Sequence, residues 1–357
     1  MGVEGKMEEN KPLAPFTTFG IGGPARWFVE ATSEDEIMEA TGWVRERGLP
    51  LFVLGGGSNL LVADRGFDGL VLKVGLQGIA TSSAGDGGGD VIYKAGAGVD
   101  WDGFVERTVR DGCAGVECLA GIPGTVGGTP VQNVGAYGQE VATVISEVRV
   151  LNLADIAFVA FTAAECGFSY RRSRFNLVDR GRYIVTRVDY RLIPGSAPTA
   201  GYPDLQRAIG RELKGSEPAL TDVARVVRQV RRSKGMLLVE GDPDCRSAGS
   251  FFKNPVVDAA AVQRIAEVSG KEPPTFPAGA DGAGQVKVPA AWLIEQAGFA
   301  KGFALGTAGI SSRHTLALIN RGGATAAEIL SLAWRISEAV EARFGIELER
   351  EPVLLGF

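Results

Sequence analysis

The chain is poor in the residues that build metal and disulfide sites. It has one histidine, His314, and four cysteines, Cys113, Cys118, Cys166 and Cys245, with no Cys-x-x-Cys spacing. A zinc centre of the usual Cys/His composition is therefore not expected, no metal site is assigned, and no disulfide framework is implied. The cysteines read as structural. Basic residues are not in excess: 37 Lys and Arg against 42 Asp and Glu leave a net charge of -5, without the footprint of a nucleic-acid binder. No apolar run approaches the roughly 18 residues that a membrane helix needs. The polar first eleven residues lack a signal-type apolar segment, so a cytoplasmic location is expected and the segment reads as a frayed tail. Nor is there a fixed repeat, a Gly-Lys-Ser/Thr phosphate loop, or a G-x-G-x-x-G fingerprint: Gly55-x-Gly57 is followed by Leu60 where the third glycine should stand.

What the chain does have is glycine, 50 residues of 357, gathered in short loops between apolar runs. Such loops make tight turns or let main chain approach something closely. The length suggests two or three domains. Ser33-x-x-Glu36 opens a helix that ends near Gly48, and Leu51–Leu54 reads as a buried strand. Asp100 caps a helix that carries Trp101, Phe104, Val105 and Val109 and ends at Gly112. Residues 147–153 and 183–192 read as strands. Residues 194–219 shift to Pro, Gly and charge and mark a boundary. Thr221 is expected to cap the helix that follows. Thr325-x-x-Glu328 opens a long helix with the stripe Ile329, Leu332, Ala333, Ile336, Val340 and Phe344, and the region around Trp334 reads as core. A short strand region, 346–355, closes the chain. Residues 82–90 and 269–284 read as solvated loops. Strands and helices without a strict βαβα rhythm favour α+β.

Two glycine loops carry the chemistry. Gly55-Gly56-Gly57-Ser58-Asn59 follows a strand and suits a diphosphate held by backbone amides. Gly121–Gly138, GIPGTVGGTPVQNVGAYG, is too apolar for a solvent loop and too rich in glycine for an ordinary strand. Gln132 and Asn133 could bond a heterocycle edge. Two such loops suit a dinucleotide with a flat ring. A third stretch, Ala248–Pro255 (AGSFFKNP), raises its own question. Extended, it would place Ser250, Phe252 and Asn254 on one face and Phe251 and Lys253 on the other, with Pro255 ending an edge strand.

Pro12-Leu13, Thr17-Thr18, Ile21–Ala25, LGGGSNLL, GAGVDWDGF, GIPGTVGGTPVQNVGAYG, FSYRRSRF, AGSFFKNP and LEREPV occur in that order along nearly the whole chain. The ordered set resembles the UDP-N-acetylenolpyruvoylglucosamine reductase (MurB) family, and the loop Gly201–Leu205 resembles its larger, type I class. The resemblance implies an FAD-binding fold of the vanillyl-alcohol-oxidase (PCMH-like) type plus an α+β substrate domain. The expected parts are 1–80 completed by 345–357, 81–218, and 219–344. It implies non-covalent FAD, NADPH as reductant, a nucleotide-sugar substrate and a role in peptidoglycan synthesis. A monomer without nucleic-acid or membrane partners is expected.

The resemblance also implies roles. Gly55, Gly56, Gly57, Ser58, Asn59, Gly121, Gly124, Thr125, Gly127, Gly128, Thr129, Gln132, Gly135 and Ala136 would hold the cofactor. Arg171 would pair with the carboxylate of the enolpyruvyl group, where a planar guanidinium suits a developing enolate. Ser250 would donate the proton to carbon. Glu351, protonated, would be the second stabiliser, with Glu349 the alternative. Tyr137, Tyr202, Lys234, Asn254 and His314 would contact substrate, Tyr202 as part of a lid. Two other functions stand beside this one: an oxidase of the same flavin superfamily, and a nucleotide-sugar binder without catalysis. The oxidase often tethers its flavin through His or Cys, and no histidine precedes residue 314.

Overall fold

The computed structural model describes residues 2–85, 89–278 and 284–357. Contacts divide the chain into two compact units. The first comprises residues 1–11, 25–56 and 68–232, and the second 12–24, 57–67 and 233–357.

The first unit is built on two larger sheets. One runs Glu8–Pro12, Pro24–Ala31, Phe67–Val74, Leu51–Leu54 in spatial order. Its last pair is parallel, with Leu51 opposite Leu70. The other is antiparallel, in the order Ala157–Thr162, Ile145–Asn152, Tyr183–Pro194, Val91–Gly96, Ile79–Ser83. Helix α1 (Glu34–Arg47) is capped by Ser33, which accepts from the Glu36 amide, and it ends at Gly48 with φ +61°. Helix α2 (Trp101–Arg110) is capped by Asp100, and Gly112 (φ +72°) turns the chain after it. The periodicity of α2 puts Trp101, Phe104 and Val105 inward. There Phe104 meets Tyr190 at 4.7 Å and Trp101 at 5.4 Å between ring centroids. Helix α3 (Pro203–Leu213) starts with proline in its first turn, and α4 (Leu220–Ser233) buries Val223, Ala224, Val226 and Val227.

In the second unit, two three-stranded antiparallel sheets run Val256–Val257, Val286–Lys287, Phe276–Pro277 and Ala304–Leu305, Ala308–Ile310, Leu318–Asn320. The closing strand Val353–Leu355 pairs in parallel with Leu60–Val62, so the end of the chain joins an early segment. Helices α5 (Ala259–Ser269), α6 (Ala290–Gln296) and α7 (Ala326–Phe344) complete the unit. The capping box of Thr325 and Glu328 is formed in full, and the Asp64 carboxylate accepts from the first two α7 amides at 2.8 and 3.1 Å. No helix among the described residues is long and apolar enough to cross a membrane.

Several local expectations change. The described part of the first eleven residues, 2–11, is not a frayed tail. Val3 is buried, its amide donates to Glu39 at 2.8 Å, Glu4 accepts from the Trp43 indole at 3.0 Å, and Lys6 pairs with Glu36. The outer face of α1 supplies these partners, and Glu8–Pro12 adds a strand. Helix α4 begins one residue before Thr221, and Asp222 accepts from the Ala219 amide at 3.1 Å in place of a threonine cap. Trp334 is not core: it is 57% exposed. One residue past Ala333 turns about 100° away from the buried stripe. The expected loops are partly strand, with Ile79–Ser83 and Phe276–Pro277 both paired; 86–88 and 279–283 lie outside the described residues. Ala248–Pro255 is bridged only at Phe252, to Arg350, and both Phe251 and Phe252 are buried, so the two-faced alternation does not hold there.

Candidate active site

In the first unit the glycine loops are packed against each other. A Cβ on Gly56 would lie 2.5 Å from the Gly124 Cα, and one on Gly55 would lie 3.0 Å from Thr125 Oγ1. Gly127 and Gly135 are likewise filled by chain: their Cβ atoms would meet Ala97 Cβ at 2.6 Å and Glu140 Cγ at 2.7 Å. Gly128 differs, being exposed with nothing within 4 Å of its Cβ direction. Part of the glycine signal therefore reports self-packing, and Gly128 is where bare main chain faces outward. The Thr129 hydroxyl lies 2.6 Å from that of Tyr190 and donates to Val126 O, so it holds the core.

Gly135–Ala136 and Gln139–Glu140 form a small hairpin whose two turn residues, Tyr137 and Gly138, both have positive φ, +50° and +86°. Asn-Gly is the usual choice in such a turn. Here the tip displays a tyrosine, which meets Tyr202 edge-on at 5.8 Å between ring centroids. Burial raises the pKa of both phenols. Arg171 occupies another two-residue tip. Ser169 and Arg172 exchange backbone hydrogen bonds of 3.0 and 3.1 Å across it, and Arg171 sits at φ +58°. Its Nη1 donates to Gly135 O at 3.0 Å. Arg231, on α4, is 6% exposed and donates through Nε to Gly121 O at 2.9 Å. Burial is the main cause lowering its pKa, the charges of Tyr137 and Asp102 oppose that, and nearby Arg171 adds to it. Two phenols and two guanidiniums form a donor-rich, cationic set, which fits a ligand carrying carbonyl and phosphate oxygens.

In the second unit, three distant segments are joined through main chain. The Phe251 amide donates to Leu316 O at 2.8 Å, and Phe251 O accepts from the Glu351 amide at 2.9 Å. Ser250, the turn containing His314, and Glu351 are thereby neighbours. Asn59 Nδ2 donates to Glu351 O at 3.2 Å, and Asn59 O accepts from the Val353 amide. A Cβ on Gly57, which has φ +63°, would fall 1.8 Å from Phe16 O. Glu349 is the more exposed carboxyl and accepts from Lys253 Nζ at 2.6 Å. Asn254 Oδ1 accepts from the Ala290 amide at 3.0 Å and so caps α6. Lys234 is half-buried and precedes Gly235, whose Cβ direction points at Asp244 Cβ, 3.0 Å away. Asp244 also accepts from the Ser312 amide and hydroxyl and from Arg313 Nε, and Arg313 reaches Asp242 as well. This clamp ties residues 242–244 to the turn before His314.

Residues 25–155 match the FAD binding domain model, and residues 242–355 match the C-terminal domain model of UDP-N-acetylenolpyruvoylglucosamine reductase. The chain is 48% identical over 355 residues to the UDP-N-acetylenolpyruvoylglucosamine reductase of Thermobifida fusca, with 97% of each chain covered. The chain belongs to the UDP-N-acetylenolpyruvoylglucosamine reductase family.

The enzyme of that name from Streptomyces coelicolor is 45% identical over 97% of this chain and 89% of its own length. The crystal structure of the MurB reductase from Thermus caldophilus superposes with a TM-score of 0.66 at 28% identity, covering 98% of this chain and 99% of that one. The fold is accordingly α+β with an FAD-binding domain, and the family is one of FAD-dependent oxidoreductases. Residues 156–241 fall outside both matched models, yet they hold Arg171, Tyr202, Arg231 and Lys234.

Within this reductase fold, Arg171, Tyr137 and Tyr202 belong to the first unit, and Ser250, Asn254, His314, Lys234 and Glu351 to the second. The cofactor residues divide likewise: Gly55, Gly56 and those from Gly121 to Ala136 in the first, Gly57, Ser58 and Asn59 in the second. Arg231 was missed by sequence reasoning. Its signal was available: it continues the stripe Val223, Val227 at intervals of four, so an arginine stands where the helix turns inward.

Proposed function

We propose that the chain reduces the enolpyruvyl double bond of UDP-N-acetylglucosamine enolpyruvate with NADPH, giving UDP-N-acetylmuramate for peptidoglycan. FAD, when bound, would supply a non-covalent two-electron relay between the nicotinamide and the double bond. The two glycine loops would hold it, with Arg231 as an added cation. A hydride adds to the terminal vinyl carbon, the C=C becomes a single bond, and the electron pair moves toward the carboxylate. Arg171 stabilises that charge, and Glu351 shares a proton with it. Ser250 delivers the proton to the carbon beside the carboxylate; placement compensates for the weak acidity of a hydroxyl. Lys234, Asn254, Tyr137, Tyr202 and His314 bind the nucleotide sugar, Tyr202 from a lid.

One observation carries this reading most: main chain joins the segments of Ser250, His314 and Glu351 in a chain of this family. Main-chain bonds tie Glu349 and Glu351 alike to the Ser250 segment; Glu351 takes the role because it is half-buried, whereas Glu349 is exposed and paired with Lys253. The three-part division, a monomeric state and a cytoplasmic location belong to the same proposal. Purified protein should be yellow, release FAD on denaturation, bleach with NADPH under argon, and recover colour when the enolpyruvyl substrate is added. Recovery with oxygen at a comparable rate would point to an oxidase; protein that takes up no FAD would point to a simple nucleotide-sugar binder.

A further inference from the structure

Six residues other than glycine have positive φ among those described, and three of them, Asn133, Tyr137 and Arg171, lie on adjoining loops of the first unit. Two are at the tips of two-residue turns, where a side chain in the left-handed region is strained and persists only when its surroundings over-determine it. At Arg171 the surroundings are specific. Asn176 Nδ2 donates to Arg171 O at 3.1 Å, while Asn176 Oδ1 accepts from the Ser173 amide at 2.9 Å. The Ser173 hydroxyl donates to Val131 O at 2.6 Å and accepts from the Phe175 amide. On the other side of the turn, Asn133 is 1% exposed, and its Nδ2 donates to Ser169 O at 3.1 Å and to Glu140 at 2.9 Å. Its Oδ1 accepts from the Ala142 amide. Two amides thus grip the main chain of one turn, one behind Arg171 and one at its base.

We propose that Asn176, with Asn133, is a positioning residue that holds the Tyr170-Arg171 turn in its left-handed form and so fixes where the Arg171 guanidinium points. An arginine has four side-chain torsions, so aiming it at a carboxylate requires its backbone to be fixed first. The bond to the Arg171 carbonyl fixes the peptide plane after the strained residue, and the bond to the Ser169 carbonyl fixes the plane before the turn. Neither amide touches the ligand in this account. The inference rests on the role given to Arg171 above and deepens it.

The test is Asn176→Asp. The carboxylate keeps an oxygen for the Ser173 amide, so the cap survives, but it cannot donate to Arg171 O. Two readouts are taken on the holoenzyme. The first is tryptic cleavage between Arg171 and Arg172, followed by mass spectrometry, which reports opening of the turn without any catalysis. The second is anaerobic stopped-flow of the two half-reactions. The expected result is cleavage at that bond faster by severalfold, flavin reduction by NADPH within about twofold of wild type, and reoxidation by the enolpyruvyl substrate slower by roughly 10- to 100-fold, the loss typical of a misplaced group. On an Arg171→Ala background the same substitution should change reoxidation by less than about twofold, because its effect passes through Arg171. Unchanged cleavage would overturn the positioning role whatever Arg171 does. Faster cleavage with wild-type reoxidation would also overturn it, as would equal slowing of both half-reactions. If Arg171→Ala itself reoxidises at the wild-type rate while Asn176→Asp cleaves faster, the turn is held as described, the role of Arg171 in the reaction fails, and the catalytic part of this inference falls with it.

Discussion

Arg231 shows what a single residue can reveal that pattern reading passes over. A guanidinium at 6% exposure needs partners that offset the loss of water, and here it faces Gly121 O in the glycine loop, with Tyr137 and Arg171 nearby. Hydrogen bonds to charged groups contribute about 1.5–3 kcal/mol, which corresponds to about 10- to 100-fold in affinity. Arg231→Met keeps an unbranched apolar stem about as long as arginine's aliphatic part and removes the charged head. It is expected to weaken FAD binding by about that factor, measured by titrating apoprotein and following quenching of flavin fluorescence; unaltered affinity would remove Arg231 from the cofactor site. The roles proposed for Ser250 and Asn254 rest, in the sequence, on the ordered motifs alone. Their shared face in an extended segment was the wrong geometric ground, because both Phe251 and Phe252 turn inward and pack edge-on at 5.2 Å. A pair of adjacent buried aromatics is set by neighbours remote in sequence, here Leu316 and Glu351, which no local period encodes.

At the scale of elements, helix ends were legible and helix surfaces were not. Ser33, Asp100 and the Thr325–Glu328 box sit where the caps fall, since capping is a local exchange between a side chain and amides two or three residues on. The docking of residues 3–6 on α1 depends on Glu36, Glu39 and Trp43 some thirty to forty positions away, so the same residues read as a tail. The loop at Gly57, proposed to hold the cofactor, is also a tight structural joint. With φ +63° and Phe16 O 1.8 Å from its Cβ position, Gly57→Ala is expected to lower stability by at least about 1–3 kcal/mol through strain. A urea unfolding midpoint equal to wild type would refute this. The clamp of Asp242 and Asp244 on Arg313 makes a prediction with pH. Arg313 lowers the pKa of Asp242. Burial raises that of Asp244, but its bonds to Ser312 and Arg313 outweigh this and leave it lowered from 3.8. Groups with depressed values stabilise the fold above their unfolded pKa and lose that contribution as pH falls through the folded one. The difference in Tm between wild type and Arg313→Ala should therefore be steady above pH 3.8 and shrink below it. A difference that stays constant down through that range would show the clamp adds no charge-dependent stability.

Across the whole molecule, the order of motifs identified the family, and a likeness spanning 97% of a relative's length agrees with it. What sequence could not supply is how each segment is placed. The closing strand returns to pair with Leu60–Val62, and the segments of Ser250, His314 and Glu351 are joined by main-chain bonds. Glycine was a mixed signal at this scale: Gly56, Gly127 and Gly135 leave room for the chain itself, whereas Gly128 is open. The central claim is that one enzyme carries out two separable transfers and that its own hydroxyl completes the second. The direct measurement is anaerobic stopped-flow of Ser250→Ala holoenzyme, with flavin reduction by NADPH and reoxidation by the enolpyruvyl substrate recorded separately. The account predicts reduction at the wild-type rate and reoxidation slower by about 10²–10⁴-fold, the usual contribution of a positioned proton donor. Reoxidation at the wild-type rate, or the same loss in both steps, would contradict it.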